Sequence, residues 1–273
     1  DTDFEEQIEA WMNAIEGSLN EYISTSKKNR YDRENPLHTR ILTNRLLNKE
    51  SSEKETRHYV FNLKNSGMQY ESGDALGVWP TNCPELVTEI LEAIQLDPSV
   101  PVTVKDHGQM PLREALLRHF EITRITPGML QLVHERSNSV MLGELLTKHN
   151  KNKLQNWLWG RQLVDLLQEF SITADADEFI RVLKALQPRF YSISSSPKTY
   201  PDEVHVTVST VRYEYKGKTR KGVCSTFLAD QAMHHSDIPI FIQKSVHFRP
   251  PANPDMPMIM VGPGTGGGSF RGF

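Results

Sequence analysis

Apolar residues at Phe4, Ile8, Trp11, Met12, Ile15 and Leu19 recur at helical spacing, with acidic residues in the first turn, and predict a helix over 4–22. The polar, charged stretch from Ser24 to Asn35 reads as a linker. From about Pro36 to Pro80 the period changes to two: in RHYVFNL, Tyr59, Phe61 and Leu63 face one way, His58 and Asn62 the other. SGDALGVWP, residues 72–80, reads as a short strand with turn residues at both ends. Pro84 then opens a helix at its first position, with Leu86, Val87, Ile90, Leu91 and Ile94 at helical spacing. Further helices are predicted near 111–120, 140–149, 161–169 and 177–186, the last with Asp177 near its start and Pro188 just past its end. Strands return over 190–195 and 204–213, followed by a KGKTRKG turn and strands over 238–243 and 256–261.

Strands, a mainly helical block of about 100 residues, and strands again predict a mainly β plus α chain. The simplest account is an antiparallel β-barrel interrupted by an inserted all-helical subdomain. A length of 273 residues leans towards two domains. The net charge of −3 gives no electrostatic case for nucleic acid or an anionic membrane. No apolar run approaches the roughly 20 residues of a bilayer span, and DTDFEEQ at the amino end lacks the parts of a signal peptide. Cys83 and Cys224 have neither metal-ligand nor CxxC spacing, so free thiols in a reducing cytosol are expected, a structural disulfide being the alternative. The pair His234-His235 has no third ligand nearby, and no metal site is expected.

Four stretches could carry chemistry. In VHVTVSTVRY, Val204, Val206 and Val208 fall on one face; His205, Thr207, Ser209 and Tyr213 fall on the other, which is either solvated or a ligand face. In RFYSISSSP, Arg189 offers a fork of donors for phosphate, and Tyr191 on the same face offers a ring for stacking. Ser192 and Ser194 add hydroxyls; the stretch suits a ligand with a phosphate and a flat ring, or is a Ser-rich strand end with a surface Arg. No GxSxG elbow is present, so a serine nucleophile is not expected. In KGVCSTF, Gly222 permits close backbone approach, and Ser225 sits where a helix start would leave free N–H groups for an anion. Near the carboxyl end, Gly262, Gly264 and Gly267 trace G-x-G-x-x-G without the rest of a βαβ unit.

Taken together, RFYS, TVSTVRY, GVCS and GPGTG, in this order and spacing, resemble the FAD-binding part of the NADPH-dependent diflavin reductases. SGDALGVWP, EVHVTVSTVRY and ANPDMPMIMVGPGTG are most similar to the flavoprotein (alpha) subunit branch of assimilatory sulfite reductase. The resemblance runs from about residue 35 to 266. It implies a ferredoxin-reductase-type FAD-binding barrel in two parts, 35–83 and 188–255, around a helical connecting subdomain at 84–187. Residues 1–34 would be the end of an upstream FMN domain, and 256–273 the first strand and glycine loop of an otherwise missing NADPH-binding domain.

The resemblance also implies roles. Arg189 would pair with the FAD phosphates, and Tyr191, next to Phe190 in the motif, would stack on the isoalloxazine. Ser192 would hydrogen-bond near the flavin N5, where hydride arrives, and is the catalytic candidate. Thr207, Val208 and Ser209 would line the flavin and ribityl chain, and Tyr213 would stack towards the adenine. Gly222, Val223, Cys224 and Ser225 would hold the pyrophosphate, with Thr123 of HFEIT and Trp159 or its neighbour as further contacts. In the family, NADPH gives hydride to FAD, and electrons pass singly to FMN and on to an acceptor. For the sulfite-reductase branch the acceptor is a haemoprotein subunit carrying sirohaem and an iron–sulfur cluster, and the setting is cytoplasmic.

After GPGTG the family has a branched apolar residue, Ala and Pro; here Gly267, Gly268 and Ser269 take those places. Losing Pro removes a preorganised helix start, and Gly-Gly-Gly-Ser is the composition of a flexible linker. Deliberate replacement of the NADPH domain or a natural variant would account for this, and the first is favoured. The expectation is a chain that binds FAD but is not reduced by NADPH. A reductase of another diflavin branch, such as a cytochrome reductase, and a non-catalytic docking scaffold are the rival readings.

Overall fold

The computed structural model of the chain describes residues 31–234, 237–253 and 255–273. The helix expected over 4–22 and most of its linker lie outside the described residues. The chain opens with β1 (Leu37–Thr39), β2 (Ile41–Leu46), β3 (Thr56–Asn62) and β4 (Ala75–Val78). Tyr59 and Phe61 of β3 are buried, as the period of two predicts, but His58 and Val60 on the opposite face are covered too.

Pro84 opens α1 (Pro84–Ile94), which buries the stripe Val87, Ile90, Leu91 and Ile94. There follow β5 (Pro101–Val104), β6 (Gly108–Pro111), α2 (Leu112–Arg118), β7 (Phe120–Glu121), α3 (Pro127–Ser137), α4 (Val140–Leu145), α5 (Lys151–Leu158), α6 (Leu163–Glu169), α7 (Ala176–Arg181) and β8 (Lys184–Ala185). The segment is thus not wholly helical: β5 pairs with β6, and β7 with β8. The second pairing ends α7 at Arg181, short of the predicted 186. α3 and α5 were not predicted, because charged residues dilute their apolar stripes; α3 is capped by the Thr126 hydroxyl, which accepts from Met129 N at 3.0 Å.

After this block come β9 (Arg189–Ser192), β10 (Glu203–Ser209), β11 (Arg212–Tyr215) and β12 (Lys218–Lys221). The single strand expected over 204–213 breaks after Ser209, where Thr210 N donates to Glu55 O at 2.7 Å and the chain enters a new hairpin. In KGKTRKG only Lys216 and Gly217 form the turn, both at positive φ; Lys218–Lys221 is β12, and Gly222 leads into the next helix. Helix α8 (Val223–Thr226) runs on through π and 3-10 turns to His234, and β13 (Ile238–Gln243) follows. No strand forms over 256–261. Ile259 is 95% exposed, and no strand among the described residues pairs with this run. The glycine-rich end is not a free tail either: Gly264–Gly272 is a 3-10 helix.

Every strand pairing among the described residues is antiparallel. One sheet has the order β1-β13-β4-β9, another β10-β3-β2, and the bridge Ile193↔Val206 links the end of β9 to β10. Tyr59, Phe61, Leu76, Val78, Val204, Val206, Phe227 and Ile240 share one apolar core at these sheets. Ile90, Leu112, Leu116, Ile122, Met129, Leu166 and Phe179 share a second core in the helical segment. At about 1.5–3 kcal/mol for each large side chain fully buried, both cores contribute substantially to the opposition to chain entropy. The fold is mixed α/β, built on antiparallel sheets.

Candidate functional site

The RFYS segment forms β9, the edge of its sheet, paired only with β4 on one side from Arg189↔Val78 to Ser192↔Ala75. The position of β4 is fixed in turn by Asp74, which is 1% exposed. Its Oδ1 accepts from Arg249 Nη2 at 2.6 Å and from Ser245 N at 3.0 Å, while Oδ2 accepts from Glu71 N at 2.9 Å. The alternation of β9 puts Arg189 and Tyr191 on one face and the more exposed Phe190 and Ser192 on the other. Phe190 meets the Phe241 ring edge-on at 5.8 Å.

Arg189 donates through Nη2 to Glu121 Oε2 at 2.7 Å. The other oxygen of Glu121 accepts from Thr123 N at 3.0 Å and from the Thr123 hydroxyl at 2.5 Å. One nearly buried carboxylate therefore joins Arg189 to Thr123, residues 66 positions apart in the chain. Glu121 was not singled out in the sequence; its signal was its place in HFEIT, two residues before Thr123.

Tyr191 turns its ring towards the core of the sheets, where its hydroxyl interacts with the Cys224 thiol. Burial pushes the Tyr191 hydroxyl far above its usual range, so it stays protonated. Burial likewise pushes the Cys224 thiol up to about 12. Both cysteines are free thiols, and among the described residues no group of three or more His, Cys, Asp or Glu could hold a metal ion.

The GVCS segment enters α8 through Gly222. A Cβ at Gly222 would come within 2.9 Å of Val211 Cβ and 3.1 Å of Ser225 Oγ, so glycine is required for packing here. The Ser225 hydroxyl accepts from Val211 N at 3.1 Å and ties the helix start to the strand connection. The amides of Val223, Cys224 and Ser225 lie in the first turn, where a helix supplies no carbonyl of its own. Beside this loop Lys221 Nζ lies 3.5 Å from Asp230, which also takes both terminal nitrogens of Arg212. A cavity of about 150 Å³ opens between loop and helices, lined among others by Asn82, Thr123, Gln162, Arg220, Lys221 and Gly222.

The remaining sequence candidates are more dispersed. Thr207 is half-buried, Val208 buried and Ser209 exposed on β10, whereas Tyr213 stands on the separate β11–β12 hairpin, opposite Arg220. Trp159 is 85% exposed, next to Gly160, which has a positive φ and whose missing side chain leaves room for the Tyr215 ring, 2.9 Å from where a Cβ would sit. His205, expected on a face either solvated or open to a ligand, is 3% exposed because Tyr200, His58 and the carboxyl-terminal 3-10 segment cover it.

The segment that folds these elements together, residues 29–227, matches the model of the family described as FAD binding domain. The chain belongs to that family. The FAD binding domain match includes Thr123, RFYS, β10 and GVCS. The chain is 38% identical over 286 residues to the sulfite reductase [NADPH] flavoprotein alpha-component of Bacillus subtilis (strain 168), covering 100% of this chain and 47% of that protein. It is 41% identical over 257 residues to the protein of the same name from Escherichia coli (strain K12), covering 94% of this chain and 42% of the relative. The Mannheimia succiniciproducens protein of that name is 37% identical over 243 residues, 89% of this chain and 40% of the relative. The chain spans less than half the length of these curated relatives.

Proposed function

We propose that this chain is the FAD-binding portion of a flavoprotein reductase that carries electrons from NADPH through FAD and FMN to a sulfite reductase haemoprotein subunit. The observation that carries the reading is the convergence of Thr123 and Arg189 on Glu121, within a segment that belongs to the FAD binding domain family. The names of the relatives extend it to NADPH and to sulfite reduction. On this reading the sheets form the flavin barrel, in two parts at 35–83 and 188–255. Residues 84–187 form the connecting subdomain, 1–34 end an FMN domain, and 256–273 begin the NADPH-binding domain. The compartment would be the cytoplasm; no helix among the described residues is long and apolar enough to cross a membrane.

The residues present fit FAD. Gly222 keeps the chain bare where GVCS turns into α8, and the first-turn amides of Val223, Cys224 and Ser225 are donors of the kind a pyrophosphate needs. Arg189 supplies a planar fork of N–H groups for phosphate, with Glu121 fixing its direction. β9 offers a free strand edge at Tyr191 and Ser192, suited to the rim of a flat ring, and the exposed Ser192 is the group to hydrogen-bond near N5. Thr207, Val208 and Ser209 would border the ribityl chain, Tyr213 the adenine, and Phe190 the outer side of the strand. Bound FAD supplies the chemistry of accepting a hydride and giving up electrons one at a time. Protein groups here bind and orient; none serves as nucleophile.

The test is equilibrium titration of the purified chain with FAD, followed by gel filtration and flavin absorbance. A stoichiometric complex is expected, weakened by Arg189→Ala. Absence of co-eluting flavin from the folded wild-type chain would overturn the proposal.

A further inference from the structure

The 3-10 segment Gly264–Gly272 lies against β10 and the start of the β9–β10 connection. A Cβ on Gly268 would sit 3.2 Å from Thr207 Cβ, and one on Gly272 would sit 2.8 Å from Ser195 O. Bare backbone is thus pressed onto the strand that carries Thr207. Ser72 Oγ donates to Gly272 O at 2.5 Å. Packing this close by a glycine-rich stretch loses much chain entropy and gains little apolar burial, so it needs a polar anchor.

Arg271 supplies that anchor. Its Nη1 donates to Ser194 O at 3.2 Å and approaches His205 Nδ1 at 3.4 Å, while its guanidinium carbon lies 5.9 Å from the Tyr200 ring centroid. His205 Nε2 lies 2.8 Å from Glu203 Oε2. A carboxylate accepts only, so Nε2 carries the hydrogen, and neutral His205 is left with an acceptor at Nδ1, facing Arg271.

We propose that Arg271 is a positioning residue that holds the glycine loop over Thr207, and that neutral His205 is its seat. Protonating His205 would put an N–H and a positive charge at Nδ1, turning the contact with Arg271 into repulsion. The groups facing His205 are Glu203 on its own strand, His58 across β3 with rings 5.1 Å apart, Tyr200 with rings 4.4 Å apart, Ser195, whose Oγ accepts from His205 N, and Arg271. Burial lowers the affinity of His205 for a proton, against the opposing pull of Glu203, and lowers that of His58 also. Docking is therefore complete at neutral and alkaline pH and weakens as the pH falls below the ordinary histidine range. None of this requires flavin, so it stands or falls apart from the proposed function.

Hydrogen exchange followed by mass spectrometry, corrected for intrinsic rates, tests this on the flavin-free chain between pH 5.5 and 8. Protection of the amides in 266–273 should fall about tenfold or more towards pH 5.5, the scale of one charge-assisted hydrogen bond. Arg271→Met, at an exposed position, should show the low value at every pH. His205→Asn keeps an acceptor near Nδ1 but cannot titrate, and should flatten most of the profile. Unchanged protection in Arg271→Met, or a full wild-type profile in His205→Asn, would overturn the proposal. If His205→Asn fails to fold, Arg271→Met still decides.

Discussion

Glu121, at the end of β7, and Arg189, at the start of β9, meet at 2.7 Å with the carboxylate almost wholly buried. The pair fixes where the RFYS strand begins relative to Thr123. Arg189→Ala would strand that carboxylate, so a stability loss of about 1–3 kcal/mol is expected along with FAD binding weakened by about tenfold or more. Glu121→Gln keeps an acceptor for Thr123 and should cost about 1 kcal/mol while leaving FAD affinity within about threefold. Urea unfolding and flavin titration of both variants check this; equal FAD affinity in wild type and Arg189→Ala would refute it.

Tyr191 and Cys224 together shield a thiol that is fully buried and held protonated. In the native protein at pH 8, a disulfide reagent should therefore titrate at most the half-buried Cys83, itself slowed because burial raises its pKa. Both thiols should react in urea. Two fast thiols in the native state would contradict the packing.

Gly77 on β4 leaves no room for a methyl group, since a Cβ would lie 2.4 Å from the Phe241 ring on β13. Gly77→Ala should destabilise by about 1–3 kcal/mol through overpacking. In Phe241→Leu the same change should cost less, giving a coupling of about 1 kcal/mol in the double-mutant cycle. Additive effects would show that the ring can move aside.

His58 is held neutral chiefly by burial, with His205, Arg271 and Arg45 adding repulsion, and its pKa falls to about 4. The unfolded chain takes up that proton near pH 6.5, before the folded one does. Stability should be complete above pH 6.5 and decline as the pH falls towards 4, by up to about 3 kcal/mol from this residue. The urea midpoint at pH 5 should lie below that at pH 7.5, and His58→Gln should recover much of the difference. A flat wild-type profile would count against this.

The β–helical–β order was legible because period two and period 3.6 differ over runs as long as RHYVFNL or Pro84–Ile94. Short elements were not: β8 is two residues long and exists only because Phe120 and Glu121 pair with it. The run 256–261 has a strand's composition, but a strand also needs a neighbour, which composition cannot supply. At the candidate site Arg189 was legible from its fork of donors beside an aromatic ring and serines, and Thr123 through resemblance. Glu121, Lys221 and Asp230 escaped notice because their roles come from distant pairings rather than local spacing. His205 was assigned to an open face for the same reason: its cover, Arg271, lies 66 residues further along the chain.

The strand order also sets a timetable. β4 waits for β9, about 110 residues later, and β1 for β13, about 200 residues later. At roughly 5–20 residues per second of synthesis, the edges of β1 and β4 stay unpaired for several seconds or longer as the chain emerges. During that interval the helical segment, whose contacts are more local, can consolidate its own core first. The early strands are then the part of the molecule most dependent on chaperones, and substitutions there should lower the yield of folded protein before they lower its measured stability.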